Sequence, residues 1–189
     1  PAARQAFRKH IIDSPAVSFE GPESPMPHSE TGVSDTLGIS LRPEYPVYST
    51  QTSKASFVLI NQSNRNIMCG EEYCITYEDE QGIWRKLPTD NIFFSVGYLV
   101  QPGEYRIRTA SLYLEMYPNK PGRYRFLYHL TLLDTRTRIQ MMTEFRLSND
   151  EKEWKQTKKL EIPIHLTITQ NSDNSATSET SADEETSGQ

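Results

Sequence analysis

Residues 121–147 read PGRYRFLYHLTLLDTRTRIQMMTEFRL, and their periodicity decides the fold class. Pro121-Gly122 marks a turn. After it, Tyr124, Phe126, Tyr128 and Leu130 fall on one parity, and Arg123, Arg125 and His129 on the other. Alternation with a period of two is the pattern of a strand with one buried face. Leu127 breaks the alternation and is expected to meet a covering loop. Asp134 through Arg138 is polar, and residues 139–147 return as a second strand. The stretch therefore predicts a long hairpin.

The same reading extends toward the N-terminus. Tyr73, Ile75 and Tyr77 share one face, Glu78 through Gly82 is a polar loop, and residues 83–87 return as a second hairpin. Residues 38–42 open a strand that Pro43 and Pro46 interrupt, as an edge strand or a kinked first strand allows. Residues 55–60 are apolar on both parities, which leaves their core face open. Residues 92–100 are apolar but contain Gly97. Residues 101–104 form a turn, residues 105–109 alternate, and residues 112–117 do so less decisively. Seven or more short strands with turn signals between them predict an all-β antiparallel sandwich.

The chain has 189 residues and a net charge of -5. All of that charge sits in residues 170–189, where Asp173, Glu179, Asp183, Glu184 and Glu185 meet no Lys or Arg. This Ser/Thr-rich tail has no Val, Ile, Leu or aromatic residue, so a disordered segment is expected. Residues 1–35, rich in Pro, Ser and Gly after a short basic stretch around Phe7, Ile11 and Ile12, read as a flexible spacer. The expected folding unit is 36–169. No apolar run approaches the roughly 18 residues of a membrane span. A formally neutral body with an acidic tail makes nucleic acid an unexpected partner. At the end of the unit, Leu160, Ile162, Ile164, Leu166 and Ile168 form one apolar stripe. An added C-terminal edge strand within the chain is favoured over pairing with a second chain, so a monomer is favoured over a strand-mediated oligomer.

In this order the strands resemble the bacterial immunoglobulin-like domains of secreted and lipid-anchored cell-envelope proteins. The resemblance covers residues 37–148. It is carried by LGISLRPEYPVY at 37–48, FVLINQSNRNIMCGEEYCITYEDEQGIWRKLP at 57–88, GYLVQPGEYRI at 97–107, PGRYRF at 121–126 and MTEFRL at 142–147. It implies an immunoglobulin-like sandwich, a tyrosine-corner contact at Tyr124, and a location in the cell envelope or outside the cell. A membrane tether outside residues 1–189 is consistent with it. It supplies no catalytic residues.

The candidate chemistry is sparse. Cys69 and Cys74 lie five residues apart. Two reduced thiols and a small-loop disulfide are the leading alternatives, because geometry decides whether the sulfurs meet. Metal binding is third, as no nearby His completes a four-ligand zinc site. Glu71, Glu72, Glu78, Asp79 and Glu80 lack the spacing of a calcium loop and read as solvated. His10, His28, His129 and His165 show no metal-ligand or nucleophile pattern. Two interaction surfaces are expected. Tyr98, Tyr113 and Tyr117 form a candidate aromatic patch, weighed against plain packing. Arg106, Arg108, Arg123 and Arg125 form a candidate basic face if their two strands are adjacent. These readings point to a noncatalytic interaction or structural module with a protein or glycan partner and no cofactor. The rival is a small carbohydrate-active or other hydrolase whose site is assembled from distant residues. A concave pocket joining paired carboxylates to aromatic rings would favour the rival.

Overall fold

The computed structural model describes residues 27–87, 93, 95–114 and 117–169. The expected spacer up to residue 26 and the acidic tail 170–189 lie outside the described residues. Two sheets make up the fold. The smaller holds, in spatial order, β1 (Asp35–Thr36), β2 (Ile39–Pro43), β4 (Lys54–Asn61), β8 (Glu104–Ser111) and β11 (Thr167–Ile168). The larger holds β3 (Val47–Ser49), β10 (Arg138–Ser148), β9 (Gly122–Leu132), β5 (Ile67–Glu78) and β6 (Trp84–Lys86), and β7 (Tyr98–Val100) also pairs with β5.

The hairpin read from residues 121–147 is β9–β10, antiparallel from Gly122↔Leu147 to Thr131↔Arg138. Tyr124, Phe126, Tyr128 and Leu130 are all buried on its inner face. From the smaller sheet, Phe57 stacks on Phe126 with ring centroids 3.9 Å apart, and its edge meets Phe145 at 5.2 Å. This aromatic contact between the sheets is the centre of the core. Tyr124 Oη donates to Lys120 O at 2.8 Å and accepts from Lys120 N at 3.1 Å. The start of β9 is thereby tied back to the turn four residues upstream.

The expectation of wholly antiparallel sheets is corrected. β3 runs parallel to β10, and β11 runs parallel to β8. Pro43 ends β2, and Pro46 precedes β3, so the chain leaves the smaller sheet and enters the larger one between them. Neither proline has an N–H to give to a ladder. Pro46 still uses its carbonyl, which accepts from Arg146 N at 2.9 Å. This change of sheet brings the chain alongside β10 in β10's own direction.

The ambiguous strand, β4, has a reason to be apolar on both faces. Ala55, Phe57 and Leu59 belong to the main core. Val58 and Ile60 face away from it and are covered by Leu166, with Leu160 and Ile162 packed against them. Residues 160–169 therefore act as an intrachain strap, and the predicted ten-residue edge strand is not formed. Only Thr167–Ile168 pairs with β8. A turn closed by Leu166 N donating to Pro163 O at 3.0 Å breaks the stripe, leaving Ile164 and Ile168 exposed. Two further apolar runs are shorter as strands than their composition implied. Among the described residues of 92–100 only β7 is a strand, and β8 ends before Tyr113, whose φ is +50°. A short helix, α1 (Glu151–Gln156), follows β10 and is capped by Asp150, whose side chain accepts from Lys152 N.

Candidate functional site

The outer face of the larger sheet carries a trough. A stretch from His28 to Val33 crosses this face. His28 N donates to Trp84 O on β6, while Val33 N donates to Gln140 O and Val33 O accepts from Met142 N on β10. Because β5 and β9 lie between β6 and β10, the stretch spans both. Gly32 is needed for the approach: a Cβ there would lie 2.6 Å from Gln140 O. These residues were assigned to a spacer from composition, and here they form a wall. Beneath them Leu127 is buried, which explains its break in the β9 alternation.

The trough has a volume of about 540 Å³. Leu127, Cys74 and His129 lie along its floor strands, with Glu30, Lys86 and Arg138 also lining it. A second hollow of about 510 Å³ shares Glu72, Phe93, His129 and Arg138 with it and continues toward Gly97. The bulge in β5, a register shift between Cys69 and Tyr73, opens this end of the sheet. Tyr128 Oη fixes the bulge by donating to Gly70 O at 2.5 Å. No ion pair joins Lys86 or Arg138 to a carboxylate among the described residues, so both cations are available to a ligand.

Cys74, His28 and Glu30 sit together but do not make a nucleophilic relay. His28 Nε2 lies 3.9 Å from Cys74 Sγ and 3.6 Å from Glu30 Oε2. A relay needs the two ring nitrogens divided between thiol and carboxylate, and here both neighbours meet the same nitrogen. Burial pushes the Cys74 thiol up, away from the thiolate. Gln140 Nε2 also donates to Glu30 Oε2 at 3.1 Å. Among the described residues no group of three or more His, Cys, Asp or Glu is placed to hold a metal ion.

The two cysteines are free thiols. Cys69 is buried in the core, while Cys74 lines the trough on the other side of β5. The bulge between them does not bring the sulfurs into a bond.

The seven predicted surface residues fall into three places. Tyr98, Arg106 and Arg108 gather at the β5 bulge. The Arg106 guanidinium lies 3.4 Å from the Tyr98 ring centroid, Tyr98 Oη donates to Glu71 Oε1 at 2.9 Å, and Arg108 Nη2 donates to Glu71 O at 2.6 Å. The bond to Glu71 raises the Tyr98 pKa. Arg106 is only 8% exposed, so these groups organise the bulge from within. Tyr113 Oη lies 3.5 Å from Tyr73 Oη at the same end, whereas Tyr117 Oη donates to Tyr77 Oη at 2.9 Å elsewhere. The tyrosines therefore do not form one patch.

Arg123 and Arg125 lie on the outer face of the larger sheet, beyond the trough. β8 and β9 belong to different sheets, so the four arginines do not make one basic face. Arg125 stacks over Trp84 at 3.6 Å and shares Glu144 with Arg123. Arg123 also meets Glu78 at 3.0 Å. Burial works against ionisation of Glu144, but the two arginines outweigh it and hold its carboxyl below its ordinary value.

The trough residues His28, Glu30, Lys86, Arg138 and Gln140 are not legible as a group in the sequence because three separate segments supply them. The one signal in the sequence was Leu127, an apolar residue on an otherwise polar parity.

The model of the bacterial Ig-like domain matches residues 35–146. Among solved structures, the chain is similar to a putative ApaA protein from Bordetella pertussis, with 16% identity, a TM-score of 0.39, and coverage of 64% of this chain and 99% of that one. It is also similar to the alkylpurine DNA glycosylase AlkC of Pseudomonas fluorescens, at 16% identity and a TM-score of 0.33, over 58% of this chain and 30% of that one. No curated protein sequence matches. The matched span runs from β1 into β10 and takes in most of both sheets, and the chain belongs to the bacterial Ig-like domain family.

Proposed function

We propose that this is a noncatalytic interaction module of the cell envelope or extracellular space, folded as an immunoglobulin-like sandwich, and that the trough is its binding surface. The strand order, the passage of the chain from one sheet to the other between β2 and β3 at Pro43 and Pro46, and the Tyr124 corner all support the sandwich reading. One observation carries the binding reading. An open, charged trough keeps Lys86 and Arg138 free of ion pairs among the described residues, while the neighbouring thiol is not activated. Open polar concavities with a few directed groups suit recognition of a protein or glycan partner.

Sedimentation with purified bacterial envelope material tests this. The full chain is expected to sediment with it, and His129→Ala with Arg138→Ala to weaken that association about tenfold, the loss of roughly 1.4 kcal/mol. Equal sedimentation of the two proteins contradicts the assignment.

The hydrolase reading keeps one observation in its favour, since Glu30 and Glu72 share the trough with Tyr73 and Phe93. Release of reducing sugar from envelope polysaccharide that disappears in Glu72→Gln would support it. The module reading predicts no such release.

A further inference from the structure

A second cleft lies at the opposite edge of the larger sheet, between β3 and α1. Its volume is about 610 Å³. α1 has the sequence EKEWKQ and buries no residue, so its one apolar side chain, Trp154, makes no contribution to the core. Instead Trp154 lines this cleft with Tyr45 and Tyr48. Tyr48 is locked in place: its hydroxyl donates to Ser56 O at 2.9 Å and accepts from Tyr45 N at 3.2 Å. The Tyr45 ring stands edge-on to it at 5.8 Å. The cleft thus has a fixed Tyr48 ring on its β3 side and the Trp154 ring on its α1 side.

The polar groups around those rings are neutral or cationic. Ser49, Gln51, Thr52 and Thr157 are neutral donors and acceptors, and the two charged lining residues are Lys54 and Lys155. Among the described residues no carboxylate lines the cleft. Lys155 is held by Glu151 one helical turn away, while Lys54 has no ion pair among the described residues.

An added peptide strand is a poor fit. It would need the edge of β3, but Ser49 O already accepts from Thr52 N at 3.0 Å and Ser49 Oγ from Gln51 N at 3.1 Å. Aromatic faces ringed by hydroxyl and amide groups instead match a sugar, whose C–H face stacks on a ring while its hydroxyls find partners. We infer that the cleft between β3 and α1 binds an oligosaccharide, with uronate sugars preferred through Lys54. This site is separate from the trough, so either assignment stands without the other.

The test uses the full chain carrying Trp84→Phe, which leaves Trp154 as its sole tryptophan. Tri-galacturonate is titrated against tryptophan fluorescence, with galactotriose as the neutral probe and tetraglutamate as the peptide probe. A saturable shift is expected with tri-galacturonate at millimolar concentration or below, weaker with galactotriose and absent with tetraglutamate. Calorimetry on Trp154→Ala is expected to show at least about tenfold weaker binding. Because α1 buries nothing, the melting temperature of that variant should be unchanged. Lys54→Gln should bring the two sugars to equal affinity. No saturable response to tri-galacturonate, equal affinity for tetraglutamate, or undiminished binding by Trp154→Ala overturns the assignment.

Discussion

Tyr124 shows how one hydroxyl can organise a strand. Its two bonds to Lys120 close the turn that launches β9. Tyr124→Phe is expected to lower unfolding free energy by about 1–2 kcal/mol, measured by urea denaturation. Burial also pushes the pKa of Tyr124 up to about 12, and that of Tyr48 likewise to about 12, from an ordinary 10.0. The folded protein then holds protons that the unfolded chain loses. Their contribution to stability is complete below pH 10, and declines as pH rises toward 12. Alkaline titration followed by tyrosinate absorbance should show these residues ionising only as the fold is lost. A smooth titration of every tyrosine near 10 would contradict the packing. At Cys69 and Cys74, alkylation in denaturant without reductant should add two labels, because both are free thiols. A mass lower by two hydrogens, with no label, would show a disulfide.

At the scale of elements, the sequence was most legible where one face is buried and the other is wet. β9 and the second half of β5 were read correctly because their side chains alternate. Reading failed where both faces are covered. β4 gave no face because the strap at 160–169 buries Val58 and Ile60 from outside. The strap itself looked like one strand, since an apolar stripe does not reveal the turn at Pro163 that divides it. Parallel pairing of β3 was hidden for a similar reason: Pro43 and Pro46 announce an interruption but not a change of sheet. Leu166→Ala should expose Val58 and Ile60 and cost about 2 kcal/mol, at the low end for a leucine because the strap lies at the surface. A loss of only a few tenths would mean that the strap does not stabilise the smaller sheet.

For the whole molecule, the two sheets share one aromatic core, and a single cooperative unfolding transition is expected. We propose that residues 170–189 take no part in it. Deleting them should leave the melting temperature unchanged, and a clear loss would assign them a place in the fold. Net charge is a poor guide to ligand here, because the entire -5 belongs to that tail. The trough was invisible in the sequence for a related reason: its charges come from β5, β6, β10 and the stretch at 28–33, which only the fold brings together. Hydrogen exchange of the full chain, with and without bacterial envelope material, tests the binding surface most directly. Slower exchange is expected in peptides covering residues 28–33 and 127–140. Unchanged exchange there, with protection confined to other segments, would contradict it.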